Sequence, residues 1–259
     1  MGVGCAAVYK VDSLLVSFLR PGAGRCVEVY VGTSGWLYSW NLGRSLRWYV
    51  ENSGLNAVEL NASFYRMPTA RQVRGWAEVG RGLRWSVKVF RGVTHFGKLS
   101  ERSMELLRRF LALSEPMEGL VDFYLFQMPP AFRRSGVNMS RVERVASLLG
   151  GRAAFEFRHP SWFVEDVVEW AERIGVTLVS VDSPDASWVV STGGVVYLRM
   201  HGRTFWYSHY YEAEELREVA ERVAALRPRR VYIFFNNNHA MLENARSMLA
   251  LLRGEYARY

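Results

Sequence analysis

The chain has little of several features that would settle its class at once. Its 259 residues contain two cysteines, Cys5 and Cys26, whose spacing matches no common metal site. We interpret both as free thiols of a reducing compartment, and a disulfide that closes the N-terminal segment is the alternative. No run of 18 apolar residues occurs, so no membrane span is predicted. The apolar run 14–19 is too short for the core of a signal peptide, which leaves a cytoplasmic location as the expectation.

Lysine is also scarce. Lys10, Lys88 and Lys98 are the three lysines among 33 basic residues, and arginine supplies the rest. The formal net charge is +8, and a basic protein is expected to meet anionic partners such as phosphates or nucleic acid. The arginine bias could also be compositional, so charge alone leaves the identity of such a partner open.

What the chain has in quantity is apolar residues in a repeated pattern. Hydrophobic residues make up 49%, enough for a large core in a chain of this length. From residue 27 onward, a short apolar stretch, a polar loop and an amphipathic stretch follow one another repeatedly. The expected strands span residues 27–34, 56–61, 84–90, 121–127, 152–158, 176–182, 195–201 and 229–236. The expected helices span residues 46–52, 70–79, 103–113, 140–149, 164–174, 213–226 and 241–252.

Eight strands that alternate with helices predict a parallel sheet in an α/β protein. A closed (β/α)8 TIM barrel formed by residues 27–259 is the leading interpretation, and an open doubly wound sheet is the alternative. No glycine-rich phosphate loop follows the first strand, which disfavours a dinucleotide-binding fold. Residues 1–26 do not share the repeat, so we assign them to a short N-terminal extension of a single domain.

The fifth predicted strand carries charges in an apolar setting. The two-residue period places Phe155 and Phe157 on one face and Glu156 and Arg158 on the other. Charged groups in a buried strand are costly unless they are paired or used. His159 and the proline after it end the strand, so these groups lie at the end of the strand where barrel enzymes build their sites.

The other predicted strands also turn polar where they end. Catalytic residues in barrels come from the ends of several strands, so this pattern predicts a site at one mouth. The candidate catalytic residues are Glu59, Lys88, Glu156, Asp182 and His201. The candidate substrate-binding residues are Asn61, Tyr65, Gln127, Arg158, Trp162, Arg199, Tyr210, Asn236 and Asn237. A structural ion-pair network inside the barrel is the alternative reading of the charged members.

Two basic residues stand out: Lys88, which belongs to this set, and His95, which does not. Lys88 is one of few lysines, which suggests that a compact and titratable ammonium is needed on its strand. His95 lies in a loop between two glycines, Gly92 and Gly97, and such a loop could act as a lid.

Short motifs in a fixed order then point to a family. In chain order they are Gly32-Thr-Ser-Gly-Trp36, Glu59-Leu-Asn61 with Phe64-Tyr65, Lys88, Gln127-Met-Pro-Pro130, Glu156-Phe-Arg-His159 with Ser161-Trp162, Asp182, Arg199-Met-His-Gly202, Tyr210-Tyr211 and Phe235-Asn-Asn237. Together they resemble the domain-of-unknown-function family 72, the YecE-like proteins. Members of that family are similar to TIM barrels and have no settled activity, so the resemblance implies a fold and a site without implying a reaction.

The leading function hypothesis is an enzyme that acts on an anionic substrate. The substrate would contain phosphate, as a small molecule, a nucleotide or a nucleic acid, and the reaction would be hydrolase-like. Lys88, Arg158 and Arg199 would hold the anion. Glu156 or Asp182 would act as the general acid or base.

Two other function classes stay open. A glycosidase-like enzyme would use Glu59 or Glu156 with Asp182 as its carboxylate pair. A non-catalytic nucleic-acid-binding protein would use arginine-rich surfaces. The sequence assigns no cofactor and no oligomeric state. A divalent metal on Glu59, Glu156, Asp182 and His201 is an alternative that we do not favour, because the interspersed cations would repel it.

A catalytic Glu156 in a hydrated mouth has a testable consequence. Glutamine has nearly the shape of glutamate, so Glu156→Gln should leave the melting temperature near that of the unchanged protein. Ligand binding or turnover should fall, because general acid–base catalysis contributes roughly 10²–10⁴-fold to a rate. Thermal melts of the two proteins test the first half without a known substrate.

Overall fold

The computed structural model describes residues 27–254. The strands are β1 (Glu28–Ser34), β2 (Ala57–Leu60), β3 (Arg84–Lys88), β4 (Val121–Gln127), β5 (Ala153–Glu156), β6 (Thr177–Asp182), β7 (Ser187–Trp188), β8 (Val195–Met200) and β9 (Arg230–Phe235). The α-helices are α1 (Leu46–Asn52), α2 (Ala62–Tyr65), α3 (Ala70–Val79), α4 (Glu101–Ser114), α5 (Gly136–Leu149), α6 (Glu165–Ile174), α7 (Ala213–Ala225) and α8 (Met241–Leu252). The expectations for the N-terminal extension and for Cys5 and Cys26 lie outside the described residues.

Eight of these strands form a closed parallel barrel. Their order around the barrel is β5-β4-β3-β2-β1-β9-β8-β6, and the pairing of β5 with β6 closes it. That closing ladder is short, with Ala154 opposite Thr177 and Phe155 opposite Leu178. The prediction of a (β/α)8 barrel is therefore confirmed. Within residues 27–254, no helix is long and apolar enough to cross a membrane.

The connection between β6 and β8 departs from the alternation. It contains the two-residue strand β7, which pairs antiparallel with β6, in place of a helix. This segment is short and ends with Gly193 and Gly194, which both have positive φ. Turn-forming residues in so few positions favour a hairpin over a crossover helix.

Side chains alternate between the inside of the barrel and the layer beneath the helices. One buried apolar cluster draws its members from the strands alone, which identifies it as the barrel interior: Ala57, Phe123, Leu125, Ala154, Val179, Val195, Tyr197, Tyr232 and Phe234. A larger cluster joins the opposite strand faces, Phe155 among them, to the helices. The two-residue period of the strands produces both layers.

The amino-terminal end of the barrel is closed by polar and aromatic groups. Arg84 forms an ion pair with Asp122. The Tyr232 hydroxyl donates to Asp122 Oδ2 at 3.0 Å, and the Tyr232 ring stacks on Tyr30 with ring centres 4.8 Å apart. The interior is therefore packed at this end, and polar groups inside the barrel can reach solvent only at the carboxyl end.

Helix α6 shows how the sequence sets an element of the outer layer. Glu165 and Asp166 lie in its first turn, where acidic side chains interact favourably with the helix dipole. Val167, Trp170 and Ala171 are buried, at the spacing of one helix face. The helix ends at Gly175, which has φ 74° and suits the left-handed position after a helix.

Close packing of β1 against β2 gives a stability prediction. Gly32 lies opposite Ala57, and a Cβ at position 32 would come within 2.3 Å of the Ala57 carbonyl oxygen. We expect Gly32→Ala to lower the free energy of unfolding by about 3 kcal/mol, because the backbone must move to admit the methyl group. Urea unfolding monitored by fluorescence measures the change.

The matched control is Gly75→Ala, in the exposed face of α3, where an added Cβ meets nothing within 4 Å. Alanine is the better helix former, so this variant should be more stable by about 0.5–1 kcal/mol. Equal stabilities of the two variants would contradict the close approach of β1 and β2.

Candidate functional site

Polar side chains from seven of the eight barrel strands point inward at the carboxyl end. They continue the inner face defined by the apolar interior, because outside β3 each lies an even number of positions from an apolar interior residue of its strand. On β3, Ser86 contacts the hydroxyl of the inward Tyr197 at 2.6 Å, and Lys88 lies two positions further on. The inward polar residues at or just after the strand ends are Ser34, Glu59, Ser86, Lys88, Gln127, Glu156, Arg199, His201 and Asn236. Strand β6 contributes Val181 to this level of the barrel.

Arg199 lies at the centre of these groups and is wholly buried. Its Nε donates to Glu59 Oε2 at 2.9 Å, and its Nη2 donates to Glu59 Oε1 at 2.6 Å. Its Nη1 donates to Glu156 Oε2. One guanidinium therefore holds a carboxylate from β2 and a carboxylate from β5, with the fork geometry that suits arginine.

Glu59 has further donors of its own. Ser34 Oγ donates to Glu59 Oε1 at 2.7 Å, and the Tyr197 hydroxyl donates to Glu59 Oε2 at 2.8 Å. Burial alone would raise the pKa of this carboxyl, but the charge and hydrogen bonds of Arg199 outweigh burial and hold the pKa below its usual value. Glu59 is therefore ionised at neutral pH.

Glu156 is held in the same way. Arg158 Nη2 lies 2.5 Å from Glu156 Oε1, and Gln127 Nε2 lies 3.2 Å from both carboxylate oxygens. Burial opposes ionisation of this carboxyl, but Arg158 and Arg199 hold its pKa well below the usual value. The second carboxylate is thus also a fixed negative charge at neutral pH.

His201 is the neutral member of this group. Asn236 Nδ2 lies 3.3 Å from His201 Nδ1, and His201 Nε2 lies 3.2 Å from Glu156 Oε1. His201 Nε2 also lies 3.3 Å from Arg158 Nη2 and 3.4 Å from Arg199 Nη1, so this nitrogen faces one acceptor and two donors. Burial lowers the pKa of His201 to about 4, so its contact with Glu156 is a hydrogen bond of a neutral imidazole at neutral pH.

Lys88 differs from the other charged groups because no carboxylate pairs with it. The side chain is 6% exposed, and Nζ lies 4.3 Å from the centre of the Phe64 ring. None of the ion pairs among residues 27–254 includes this ammonium. Burial and the charge of Arg199 lower the pKa of Lys88 to about 7, despite the opposing effect of Glu156 and Glu59. The amine is therefore partly unprotonated at neutral pH.

A cleft of about 560 Å³ opens above these buried groups. Met128, Phe157 and Phe163 are among its apolar lining residues, and Gln127 and Arg158 reach it from the barrel. An apolar cleft with a few convergent polar groups is the usual form of a small-molecule site.

The aromatic loop after β8 covers one side of this cleft. The Arg158 guanidinium carbon lies 4.4 Å from the centre of the Trp206 ring, at the distance of a cation–π contact. The Trp206 indole donates to Asp185 Oδ2 at 3.0 Å, and both residues line the cleft. Tyr207, the next residue, has φ 62°, an uncommon value for an aromatic residue. The loop is therefore held in a specific conformation against Arg158.

Two basic side chains, His95 and Arg158, line the cleft, and a third, Lys88, is buried next to Phe64 beside them. The His95 ring packs edge-on against Phe64 with ring centres 4.9 Å apart, and the same ring covers Lys88. Burial lowers the pKa of His95, and the charges of Lys88 and Arg158 lower it further. Arg158 Nε is buried and has no hydrogen-bond partner within the described residues. Within the described residues, this corner thus has one ammonium without an ion-pair partner, on Lys88, and one guanidinium nitrogen without an acceptor, on Arg158.

A family model described as "Protein of unknown function DUF72" matches residues 30–259 of the chain. The chain belongs to the DUF72 family. Two crystal structures of a DUF72 family protein from Enterococcus faecalis V583 match it with TM-scores of 0.75 and 0.74 at 21% and 22% identity. The first match covers 87% of this chain and 95% of the other, and the second covers 89% and 99%.

A DUF72 family protein from Thermotoga maritima also matches. Its TM-score is 0.72 at 29% identity, over 87% of this chain and 99% of the other. A search of curated proteins found no match. The resemblance to DUF72 that the motifs indicated is thus confirmed, together with the barrel fold, while the family description assigns no reaction.

The expected convergence of Asp182 with Glu59 and Glu156 is wrong. Val179 belongs to the barrel interior, so Asp182, three positions further along β6, points out of the barrel by the two-residue period of the strand. Arg203 Nε donates to Asp182 Oδ1 at 3.1 Å, and the Tyr211 hydroxyl donates to the same oxygen at 2.8 Å. Asp182 therefore anchors the loop after β8. Strand β6 is buried on both faces, so the alternation of its residues does not show which face points inward.

Two predicted substrate-binding residues lie in the protein interior. Trp162 is wholly buried, stacks on Phe157 with ring centres 3.9 Å apart, and donates from its indole to the Phe132 carbonyl at 2.7 Å. Asn237 Nδ2 donates to the His209 carbonyl at 2.7 Å and to Asn244 Oδ1 at 2.8 Å. Both side chains fix loops of the barrel mouth and do not face the cleft.

The remaining predicted residues lie at the mouth or its rim. Asn61 Nδ2 donates to the Ser34 carbonyl at 3.2 Å, and its buried Oδ1 has no partner within the described residues. Tyr65 and Tyr210 are 63% and 46% exposed, and the Tyr210 hydroxyl donates to Glu243 at 2.8 Å. These two rings are at the surface, where contact with a substrate stays a prediction.

Several features of the site were not evident in the sequence. Ser34 and Ser86 belong to the buried network, and their position on the inward face of their strands was the available signal. The loop that contains His95 is a π-helix, Gly92–Phe96, with Val93 and Thr94 buried, in place of an open lid. No group of three or more carboxylate, imidazole or thiol side chains within residues 27–254 is arranged to hold a metal ion.

Burial of Glu156 reverses the outcome expected for Glu156→Gln. The carboxylate is not in a hydrated mouth, so its loss leaves Arg158 and Arg199 short of a counter-charge inside the barrel. Breaking a buried ion pair from one side costs about 3–5 kcal/mol. We expect the melting temperature to fall by roughly 10 °C in a protein of this size. Glu169→Gln, at an exposed position of α6, is the control and should melt within a degree or two of the unchanged protein.

Lys88→Met tests the unpaired amine. The folded-state pKa of about 7 lies below the unfolded value, so the unfolded chain binds more protons between about pH 7 and 10. The stability of the unchanged protein should therefore rise with pH, relative to Lys88→Met, by at most about 1.4 kcal/mol per pH unit. At or below pH 7 the methionine variant should be the more stable of the two.

Denaturant unfolding of both proteins across this range makes the comparison. The charged groups that face position 88 are Glu59, Glu156, Arg158, Arg199 and His95, and all of them are present in both proteins. The control is Lys98→Met at an exposed position, which should show a stability difference that is constant with pH. The same constant difference for Lys88→Met would refute the lowered pKa.

Proposed function

We propose that this protein is an enzyme that binds an anionic, phosphate-containing substrate in the cleft at the barrel mouth. The observation that carries the proposal is the grouping of Lys88 with His95 and Arg158, the last two of which line the cleft. Arg158 pairs with Glu156, but its Nε has no acceptor within the described residues, and Lys88 has no carboxylate of its own because Arg199 holds both Glu59 and Glu156. An anion would supply the missing acceptor.

Electrostatics favours an anion at this position. Lys88 and Arg158 each oppose protonation of His95, and Arg158 and Arg199 oppose protonation of Lys88. A bound phosphate would reverse these effects and raise the pKa of both His95 and Lys88. Arg158 Nε is a donor without a partner, and it lies beside the cleft, where a phosphate oxygen could accept from it.

Lys88 is the group best suited to take part in the reaction. A pKa near neutral pH is optimal for a residue that accepts and returns a proton, and an unprotonated amine can also attack an electrophile. Glu156 is ionised at neutral pH and cannot donate a proton there. In a hydrolase of this kind, Lys88 rather than Glu156 or Asp182 would be the general base, and the two glutamates would position the cations.

The other function classes receive less support. A glycosidase needs one carboxyl with a raised pKa, whereas the pKa values of Glu59 and Glu156 are both lowered. A non-catalytic nucleic-acid-binding protein is expected to expose its basic residues along a surface. Exposed arginines occur on several helices, but the site cations Lys88 and Arg199 are buried inside the barrel, so the site itself is not such a surface.

Calorimetric titration with inorganic phosphate tests the proposal. Binding should be detectable in the unchanged protein and about tenfold or more weaker in Arg158→Gln, since a hydrogen bond to a charged group contributes about 1.5–3 kcal/mol. Arg74→Gln, at an exposed position of α3, is the charge-matched control and should bind phosphate normally. Equal phosphate affinity in Arg158→Gln and the unchanged protein would refute this site.

A further inference from the structure

Lys88 has an environment that anion binding alone does not require. Thirty of the 33 basic residues of the chain are arginine, which binds phosphate at least as well as lysine does. Arginine cannot be deprotonated in a protein, whereas a buried lysine can. A lysine on the inward face of β3 thus provides an amine that can react, which an arginine at the same position would not provide.

We propose that Lys88 forms an imine with a substrate that carries both a carbonyl group and an anionic group. The substrate class is therefore a phosphorylated aldehyde or ketone, with its phosphate at Arg158 and its carbonyl carbon at Lys88 Nζ. This inference rests on the proposed function and adds to it the electrophile on which the amine acts.

The arrangement around Nζ supports a nucleophilic role. Arg199 occupies both nearby carboxylates, so neither forms an ion pair with the amine. The Phe64 ring covers Nζ at 4.3 Å, and the residue is 6% exposed. Removal from water and the proximity of other cations are the conditions that activate a lysine for attack on a carbonyl. The cleft beside it is large enough for a small sugar phosphate or keto acid phosphate.

The step balances without an oxidant or reductant. The Lys88 nitrogen lone pair attacks the carbonyl carbon, and one proton moves from this nitrogen to the carbonyl oxygen to give a neutral carbinolamine. Loss of one water molecule forms the carbon–nitrogen double bond, and the product is a protonated imine. His95, which packs against the same Phe64 ring as Lys88 and whose pKa the charge of Lys88 lowers, is suited to carry the proton to the departing hydroxyl.

Trapping with pyridoxal 5′-phosphate, an aldehyde with a phosphate group, tests the inference. The protein is incubated with this probe near pH 7, reduced with borohydride, digested and mapped by mass spectrometry. The small number of lysines makes the result simple to interpret. Lys98 is exposed and serves as the reference within the same chain. We expect label on Lys88 to accumulate about tenfold or more faster than on Lys98, because a lowered pKa leaves a far larger fraction of amine unprotonated.

Two further arms separate this inference from the proposed function. Inorganic phosphate should slow labelling of Lys88 and leave that of Lys98 unchanged. Pyridoxal, which lacks the phosphate, should label Lys88 more slowly than the phosphorylated probe does. Lys88→Arg keeps the positive charge but cannot form an imine, so it should lose only this label. All kinetic arms use the unchanged protein and do not depend on how well the variant folds.

The possible outcomes distinguish the imine from the anion site. Label on Lys98 without label on Lys88, in a protein that still binds inorganic phosphate, would overturn the imine and leave the anion site standing. Equal labelling of Lys88 by pyridoxal and by its phosphate, with no protection by inorganic phosphate, would support the imine and contradict the anionic substrate. Fast, phosphate-protected labelling of Lys88 would support both.

Discussion

The bridge from Arg199 to Glu59 and Glu156 is the interaction on which the rest of the site depends. A guanidinium and two carboxylates inside a barrel are costly to bury unless their charges are matched and their donors and acceptors are satisfied. Here one guanidinium donates to two carboxylates. The further contacts of these carboxylates come from Ser34, Tyr197, Gln127 and His201. The bridge fixes the ionisation of both glutamates, and in doing so it leaves Lys88 without a counter-ion.

That division of charge explains how stability and function are combined in one barrel mouth. The alternative raised by the sequence, a structural ion-pair network, describes Glu59, Glu156 and Arg199 well. It does not describe Lys88 and His95: Arg158 opposes the protonation of both, and Lys88 opposes that of His95. The charged residues therefore divide into Glu59, Glu156, Arg158 and Arg199, which are paired with one another, and Lys88, which has no ion-pair partner within the described residues.

The sequence was sufficient for the architecture because the period of apolar residues changes where strand becomes helix. Bounds such as 46–52, 70–79 and 241–252 agree with the structure at every residue. Most inward residues at the strand ends followed from the two-residue period, as for Glu156 and Arg199. Asp182 did not, because Ser180 and Asp182 alternate with Val179 and Val181, and in a strand buried on both faces this period does not show which face is inward.

The conformations of the loops could not be inferred from the periodicity of the sequence. Trp206 lies over Arg158 because its loop is anchored by Asp182, and such long-range packing has no local signal in the sequence. Trp162 belongs to the core although it follows a strand end, since the turn after Pro160 directs it back toward α5 and α6.

The short ladder between β5 and β6 has a consequence for the position of the cleft. β5 ends at Glu156, and only Ala154 and Phe155 pair across to β6. Beyond them the two strands diverge, and Phe157, Arg158 and Val181, which continue on either side of the gap, all line the cleft. The barrel wall is thus shortest at the cleft, between β5 and β6. Because the strand pairing that closes the barrel stops early, it leaves the gap at which the cleft lies.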